Sequence, residues 1–245
     1  MKIIVLGDTH GRDYWKKIIT KESYDKVIFI GDYFDSHDPG SYSTQQILNF
    51  REIIKFKKEN SDKVILLLGN HDFHYLPGIN EHYSGYQSHA SFDIQEILKE
   101  NLELLQVCHI ENNFLFVHAG ITNTWLKLRD TKLEEINDLL KTNYSILGFT
   151  PGRYYDPYGD EICQSPIWVR PDSLYRDKIE GYHQVVGHTT QLKGINLDYT
   201  DHQTRSFDPN VKRYNVILVD ALTKDNFPPQ YLVIENDIPK VVNFE

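Results

Sequence analysis

Three short apolar runs in the first third of the chain each stop at a glycine followed by an aspartate or asparagine. This repeated junction constrains the fold more than any other feature. Ile3-Ile4-Val5-Leu6 runs into Gly7-Asp8-Thr9-His10-Gly11, Val27-Ile28-Phe29-Ile30 into Gly31-Asp32-Tyr33-Phe34-Asp35, and Val64-Ile65-Leu66-Leu67-Leu68 into Gly69-Asn70-His71-Asp72. The runs are continuous rather than alternating and rich in β-branched residues, the pattern of strands buried on both faces of a mostly parallel sheet. In open α/β sheets ligands sit outside the carboxyl ends of the strands. The three junctions therefore predict a site at one sheet edge.

The intervening segments fit crossover helices. Asp13 is placed to cap a helix carrying Trp15, Ile18 and Ile19 on one face. Ser43 or Thr44 is placed to cap a longer one with Ile47, Leu48, Phe50, Ile53 and Ile54 at roughly helical spacing, ending in Lys55, Lys57 and Lys58. The resulting β-α-β-α-β order makes a parallel sheet with right-handed connections. From Phe73 to Ala90 the sequence predicts a long loop over the site, then a helix capped by Ser91 through Ile94, Ile97 and Leu98. Leu102 to His109 and Asn113 to Val117 are expected as two strands joined by a turn at Glu111-Asn112-Asn113, the second ending at His118-Ala119-Gly120. Thr122 to Thr142 has a helical pattern broken near Arg129-Asp130, and Gly148 to Pro166 is irregular and aromatic. Gln184-Val185-Val186 leads into Gly187-His188-Thr189, and Tyr214 to Val219 and Gln230 to Ile234 are expected as strands of a second, more antiparallel half.

Residues 1–245 are expected to form one domain, since this length suits a single layered α/β unit. With 40% hydrophobic and 25% charged residues the chain reads as an ordinary globular protein. A net charge of −9 argues against a broad basic surface for nucleic acid. It is compatible with an anionic phosphate ligand if metal ions supply the positive charge. The two cysteines, Cys108 and Cys163, lack the spacing of a thiolate zinc site or a disulfide framework, which suits a reducing cytoplasm. No apolar run approaches the ~20 residues of a membrane span, and no signal peptide is evident, so a soluble, unexported protein is expected.

Asp8, His10, Asp32, Asn70, His118 and His188 each follow a β-rich run. Carboxylate, imidazole and amide oxygen together suit manganese, iron or zinc better than calcium or magnesium. Two ions sharing Asp32 would clamp a phosphoryl oxygen and activate a bridging water for in-line attack. Any one of these residues alone is more often a turn former or a satisfied polar group. It is their ordered recurrence that is specific.

Gly-Asp-x-His-Gly, Gly-Asp-x-x-Asp and Gly-Asn-His-Asp in that order, followed by Val117-His118-Ala119-Gly120 and Val186-Gly187-His188-Thr189, resemble the calcineurin-like metallophosphoesterase superfamily. The segment Gly31 to Asp35 is most similar to its phosphoprotein phosphatase branch, which includes protein serine/threonine phosphatases and symmetrical dinucleoside tetraphosphatases. The resemblance implies a metallophosphoesterase-type α/β fold: a β-sandwich of mixed sheets flanked by helices, with a dinuclear metal site at the strand C-termini. It also implies that Asp8, His10 and Asp32 hold one ion and Asp32, Asn70, His118 and His188 the other, with manganese the first candidate. His71 would then protonate the leaving group, with Asp35 fixing its tautomer. The alternative for His71 is a purely supporting role.

One departure from the branch concerns the residue after Asp35, where an arginine usually clamps a phosphate oxygen and this chain has Ser36-His37. Arg170, in Trp168-Val169-Arg170, is similar to an arginine near the phosphate in bacterial members. Its bland alternative is a surface ion pair or stacking on Trp168. Arg12 and His37 are further candidates. His74 matches the tetraphosphatase-like motif, whereas His82, His89, His109, His183 and His202 have no motif support. Tyr75, Tyr83, Tyr86, Tyr154, Tyr155 and Tyr158 offer either stacking faces for a nucleobase or ordinary loop packing.

The expected function is a metal-dependent phosphoester hydrolase acting on phosphoserine or phosphothreonine in proteins. The alternatives are a dinucleoside polyphosphate hydrolase, a nucleic-acid phosphatase or phosphodiesterase, and a non-enzymatic metal-poor scaffold for protein partners.

Overall fold

The structure, a computed structural model, describes residues 1–38, 40–150, 160–199, 215–222 and 228–244. Tyr154, Tyr155, Tyr158 and His202 lie outside the described residues. The predicted parallel unit is present. Strand β1 (Lys2–Leu6) is followed by α1 (Tyr14–Lys21), β2 (Lys26–Phe29), α2 (Ser43–Glu59) and β3 (Val64–Leu67), with β1–β2 and β2–β3 paired in parallel. Their side chains alternate between two cores. Ile3, Val5, Ile28, Ile30 and Leu67 face a second sheet, while Ile4, Leu6, Val27 and Phe29 face the helical layer. Both sides are apolar because both are covered.

Asp13 occupies the cap position of α1 as expected, and the starts of α2 and α4 differ from expectation. Asp13 and Tyr42 occupy the residues preceding α1 and α2, and neither makes a side-chain capping bond, while Ser43 and Thr44 lie inside α2. Leu48 is 57% exposed, because the buried stripe of α2 runs through Ile47, Phe50, Ile53 and Ile54. A short α3 (Asn70–Phe73) leads into the loop over the site, followed by α4 (Ser91–Glu100), where Ser91 is the first helical residue rather than the cap.

The strand expected from Leu102 to His109 is divided. Leu102–Leu104 is a 3-10 turn, β4 (Leu105–Gln106) ends the first sheet beside β3, and β5 (Cys108–Glu111) begins the second. The Asn137 side chain holds the crossing open: its Oδ1 accepts from the Val107 and Cys108 N–H groups at 2.8 and 3.0 Å, and its Nδ2 donates to the Cys108 carbonyl at 2.9 Å. Backbone groups that leave one sheet for another need such a partner.

β5 forms the expected hairpin with β6 (Phe114–Val117). The pattern from Thr122 resolves into α5 (Asn123–Leu128), a 3-10 turn at Leu133–Asp138 and α6 (Leu139–Thr142), with Asp130 at φ 46° in the break. After α7 (Pro171–Arg176) come β7 (His183–Val186), β8 (Asn196–Tyr199) and β9 (Val216–Leu218). The second sheet has the order β5-β6-β7-β9-β8, and β6, β7 and β9 are mutually parallel, so this half is mixed rather than chiefly antiparallel. The C-terminal strands β10 (Gln230–Glu235) and β11 (Ile238–Asn243) return to the first sheet, whose order is β11-β10-β1-β2-β3-β4. The two mixed sheets pack face to face with helices outside, as the fold class expected. Each contributes a parallel trio, β1-β2-β3 and β6-β7-β9, and the ends of both trios meet at one place.

Candidate active site

The three junctions of the first sheet turn abruptly because Asp8, Asp32 and Asn70 must leave the strands and face the second sheet. His10, Asp32, Asp35 and His188 all adopt left-handed backbone, at φ 42°, 54°, 61° and 62°. Such conformations are strained for non-glycine residues and persist where surrounding contacts hold them. Asp72 supplies much of that hold. Its Oδ2 accepts from the N–H groups of Asp32 and Gly69 at 2.8 and 2.9 Å, and its Oδ1 from that of Tyr33 at 2.8 Å. One buried carboxylate thus ties the β2 junction to the β3 junction.

Glycines make room for the acidic side chains. A Cβ on Gly187 would lie 2.0 Å from Asp8 Oδ1, and one on Gly69 would lie 2.1 Å from Asp32 Oδ1. Asp8 Oδ2 accepts from the His188 N–H at 2.9 Å, and Asp32 Oδ1 from the His71 N–H at 2.9 Å.

The histidine rings are oriented from behind. His10 Nδ1 lies 2.6 Å from the Phe34 carbonyl and His118 Nδ1 lies 3.0 Å from that of Ile30. A carbonyl only accepts, so both Nδ1 atoms carry the proton and, in the neutral rings, both Nε2 atoms are bare. Burial pushes the His10 imidazole down to about 4 and lowers that of His118. The bare Nε2 of His118 sits 2.9 Å from Asn70 Oδ1 and 3.4 Å from Asp32 Oδ2, and that of His10 sits 3.9 Å from Asp32 Oδ2. His188 Nδ1 is 2.9 Å from the same Asn70 oxygen, and burial drives its ring well below the ordinary histidine range.

Lone pairs therefore converge with too few protons among them. Asp8 Oδ1 and His188 Nε2 are buried without a hydrogen-bond partner. Donor atoms of Asp8, His10 and Asp32 lie within 4.8 Å of one another, as do those of Asp32, His118 and His188. Asp32 belongs to both groups. These residues fit a pair of divalent cations, whose charge would satisfy the oxygens and nitrogens that no proton serves.

A cleft of about 440 Å³ opens onto this cluster. Asp8, His10, Asp32, Asn70, His71 and His188 line it together with His37, Arg170, Trp168 and Tyr83, whereas His118 and Asp35 are buried behind it. Arg170 Nη1 donates to Thr189 Oγ1 at 3.2 Å, which holds the guanidinium beside His188. Arg12 lies outside the cleft lining, paired with Asp38 at 2.8 Å. Of the loop aromatics, Tyr83 lines the cleft, while Tyr75 and Tyr86 stack on each other at 4.9 Å.

His71 Nδ1 lies 3.0 Å from Asp35 Oδ2, so Nε2 is the ring atom left to serve the cleft. Burial opposes the charge on Asp35, yet hydrogen bonds from His71, His74 and Tyr75 prevail and hold its carboxyl below the usual range. Burial likewise opposes protonation of His71, and the carboxylates of Asp32 and Asp35 outweigh it, raising the imidazole.

Three polar residues of the site were not assigned roles from sequence. Asp72 was visible as the last residue of Gly-Asn-His-Asp, and His74 by its motif. Asp220, which lines the cleft from the end of β9, follows the run Val216-Ile217-Leu218-Val219. An apolar run ending in an acid was the available signal; the missing glycine obscured it.

A family model for calcineurin-like phosphoesterase matches residues 1–219. A probable serine/threonine-protein phosphatase of Encephalitozoon cuniculi is 26% identical over 183 residues, covering 71% of this chain and 34% of that protein. A symmetrical bis(5'-nucleosyl)-tetraphosphatase of Nitrosospira multiformis is 28% identical over 195 residues, covering 76% of this chain and 62% of that protein. The matched part is less than two thirds of the length of either relative. Among solved structures, a cold-active protein tyrosine phosphatase aligns with a TM-score of 0.60 at 20% identity, covering 99% of this chain and 76% of the other. A protein serine/threonine phosphatase of Saccharomyces cerevisiae aligns with a TM-score of 0.55 at 17% identity, covering 100% and 80%. At these identities the structural likeness is one of fold. With the strand-end junctions, the two-sheet architecture and a family match across most of its length, the chain belongs to the calcineurin-like phosphoesterase family.

Proposed function

We propose that the protein is a metal-dependent phosphoester hydrolase whose first substrate class is phosphoserine or phosphothreonine in proteins. The observation that carries this reading is the shared position of Asp32 between two donor groups, with the His71–Asp35 pair beside them. In this reading Asp8, His10 and Asp32 hold one divalent ion and Asp32, Asn70, His118 and His188 the other, with manganese first and iron or zinc as alternatives. When bound, such a pair neutralises phosphoryl oxygens and acidifies a water for attack on phosphorus.

The chain's own residues do the rest. Asp35 keeps the proton of His71 on Nδ1 or, in the imidazolium, keeps the ring turned so that Nε2–H meets the departing oxygen and donates to it. Arg170 orients a phosphate oxygen from the His188 side, and His37 is placed to assist from the cleft wall. Arg12, held by Asp38, contributes to the position of the loop rather than to the phosphate.

A second reading, hydrolysis of dinucleoside polyphosphates, is favoured by His74 and by the tetraphosphatase relatives. The test is turnover by the manganese-loaded protein of p-nitrophenyl phosphate, bis-p-nitrophenyl phosphate, a phosphothreonine peptide and diadenosine tetraphosphate, with Asp32→Asn as control. Peptide turnover that the control lacks supports the first reading, and preference for the dinucleotide supports the second. Absence of all four activities in metal-loaded protein would overturn the enzymatic reading.

A further inference from the structure

Asp220 ends β9 as Asp8 ends β1, and the two strand ends touch. A Cβ on Gly7 would lie 2.4 Å from the Val219 carbonyl oxygen and 3.2 Å from the Asp220 Cα. Only a residue without a side chain permits this approach, which sets Asp220 next to Asp8 across the junction of the two sheets. The Asp220 side chain is held there by the segment after β7. Thr190 Oγ1 donates to Asp220 Oδ2 at 2.8 Å, and the Gln191 N–H donates to the Asp220 carbonyl at 2.7 Å.

That anchoring leaves Oδ1 with no hydrogen-bond partner in a residue only 3% exposed. Asp8 is in the same condition, with Oδ2 served by the His188 N–H and Oδ1 unserved. Two adjacent buried carboxylates, each with one oxygen lacking a donor, repel one another unless protons or a cation accompany them. The donor group on this side is also the smaller one: Asp8, His10 and Asp32 against Asp32, Asn70, His118 and His188.

We propose that Asp220 is a further carboxylate of the metal centre, its Oδ1 serving the ion held by Asp8, His10 and Asp32 through that ion's water. This inference rests on the metal-dependent reading above. Its function is to add negative charge and an oxygen to the less furnished side, and so to set the affinity of that ion independently of the other.

The experiment is calorimetric titration of the metal-free protein with Mn²⁺, for wild type, Asp220→Asn, Asp220→Ala and Thr190→Val, with thermal unfolding of each variant with and without Mn²⁺. Wild type is expected to take up two ions. Asp220→Asn and Asp220→Ala weaken one of them by roughly 10–100-fold and leave the other unchanged, and Thr190→Val weakens the same one by less. Metal-free Asp220→Asn melts higher than metal-free wild type because the carboxylate repulsion is gone, and gains less from Mn²⁺. A residue that only braces Thr190 would raise the metal-free melting temperature in the same way but leave both Mn²⁺ affinities unchanged. Two ions bound by both Asp220 variants with wild-type affinity would overturn the proposal and leave the metal centre standing. A wild-type protein that takes up no Mn²⁺ would overturn the metal centre and this inference with it.

Discussion

His74 Nε2 lies 2.7 Å from Asp35 Oδ2, the same carboxylate oxygen that holds His71 Nδ1 at 3.0 Å. The Tyr83 N–H donates to His74 Nδ1 at 3.1 Å, so the neutral ring carries its proton on Nε2, the ring atom nearest Asp35. With the Tyr75 hydroxyl at 2.6 Å and Gln87 Nε2 at 3.0 Å on Oδ1, the carboxylate that orients His71 is itself fixed at both oxygens. In the proposed mechanism His74 therefore has a positioning role. His74→Ala should lower turnover roughly 10-fold or more on alkyl phosphates and much less on p-nitrophenyl phosphate, whose leaving group needs little protonation. His74→Gln, which retains a donor, should recover part of the loss. Equal losses on both substrates would assign His74 a structural role only.

Replacing His71 tests its proposed role as the acid. His71→Asn should reduce turnover of poor leaving groups about 10²–10⁴-fold while bound metal, measured by elemental analysis, stays at the wild-type ratio. Unchanged turnover would remove His71 from the mechanism.

Gly187 is expected to be intolerant of any side chain. The Cβ of Gly187→Ala would meet Asp8 Oδ1 at 2.0 Å and Ile30 Cγ2 at 3.0 Å, and Asp8 is the group with somewhere to move. Affinity for Mn²⁺ should fall by about 10-fold or more. The rise in melting temperature on adding Mn²⁺ should shrink accordingly.

Asp72 tests the tie between the β2 and β3 junctions. Asp72→Ala leaves three buried N–H donors, on Asp32, Tyr33 and Gly69, without their acceptor. Each such loss costs about 1–3 kcal/mol, so urea unfolding of the metal-free protein should show a destabilisation of roughly 3 kcal/mol or more. A change within 0.5 kcal/mol, the usual range of about ±0.5 for an inconsequential surface substitution, would contradict this role.

Asp35 gives a pH dependence with a defined sign. Its carboxyl is held below the ordinary value in the folded protein, so its contribution to stability is fully present above the unfolded value of about 4. It is lost as pH falls through the lower folded value. The difference in unfolding free energy between wild type and Asp35→Asn should therefore be largest near about pH 5, where Asp35 is ionised and His71 protonated, and narrow below about pH 4. A difference that goes on widening below about pH 4 would reverse the assignment.

Much of the candidate site is legible in the sequence because its grammar is local. Asp8, Asp32, Asn70, His118 and His188 each follow an apolar run, and a strand end needs only a few residues to declare itself. His71 and Asp35 could be named because they sit beside such residues. Asp220 obeys the same rule in the less obvious form of Leu218-Val219-Asp220, and its relevance emerges only from the contact of β9 with β1. The caps expected at Ser43 and Ser91 fall instead on Tyr42 and Ala90, because the helix start is decided by backbone angles and neither helix uses a side-chain cap.

By itself the sequence determined the parallel first unit, the two-sided burial of its strands and the donor types delivered at their ends. Those follow from side-chain period and from glycine at the junctions, which are properties of neighbouring residues. Tertiary structure alone decided that Val107 crosses between sheets, that β10 pairs with β1 rather than with β9, and that Arg12 is occupied by Asp38. It also decided which nitrogen of His10 and His118 is bare and which carboxylate stands beside Asp8. The reason is physical: strand partners, proton positions and charge neighbours are set by groups far apart in the chain, and no local pattern carries them until the two sheets close on one another.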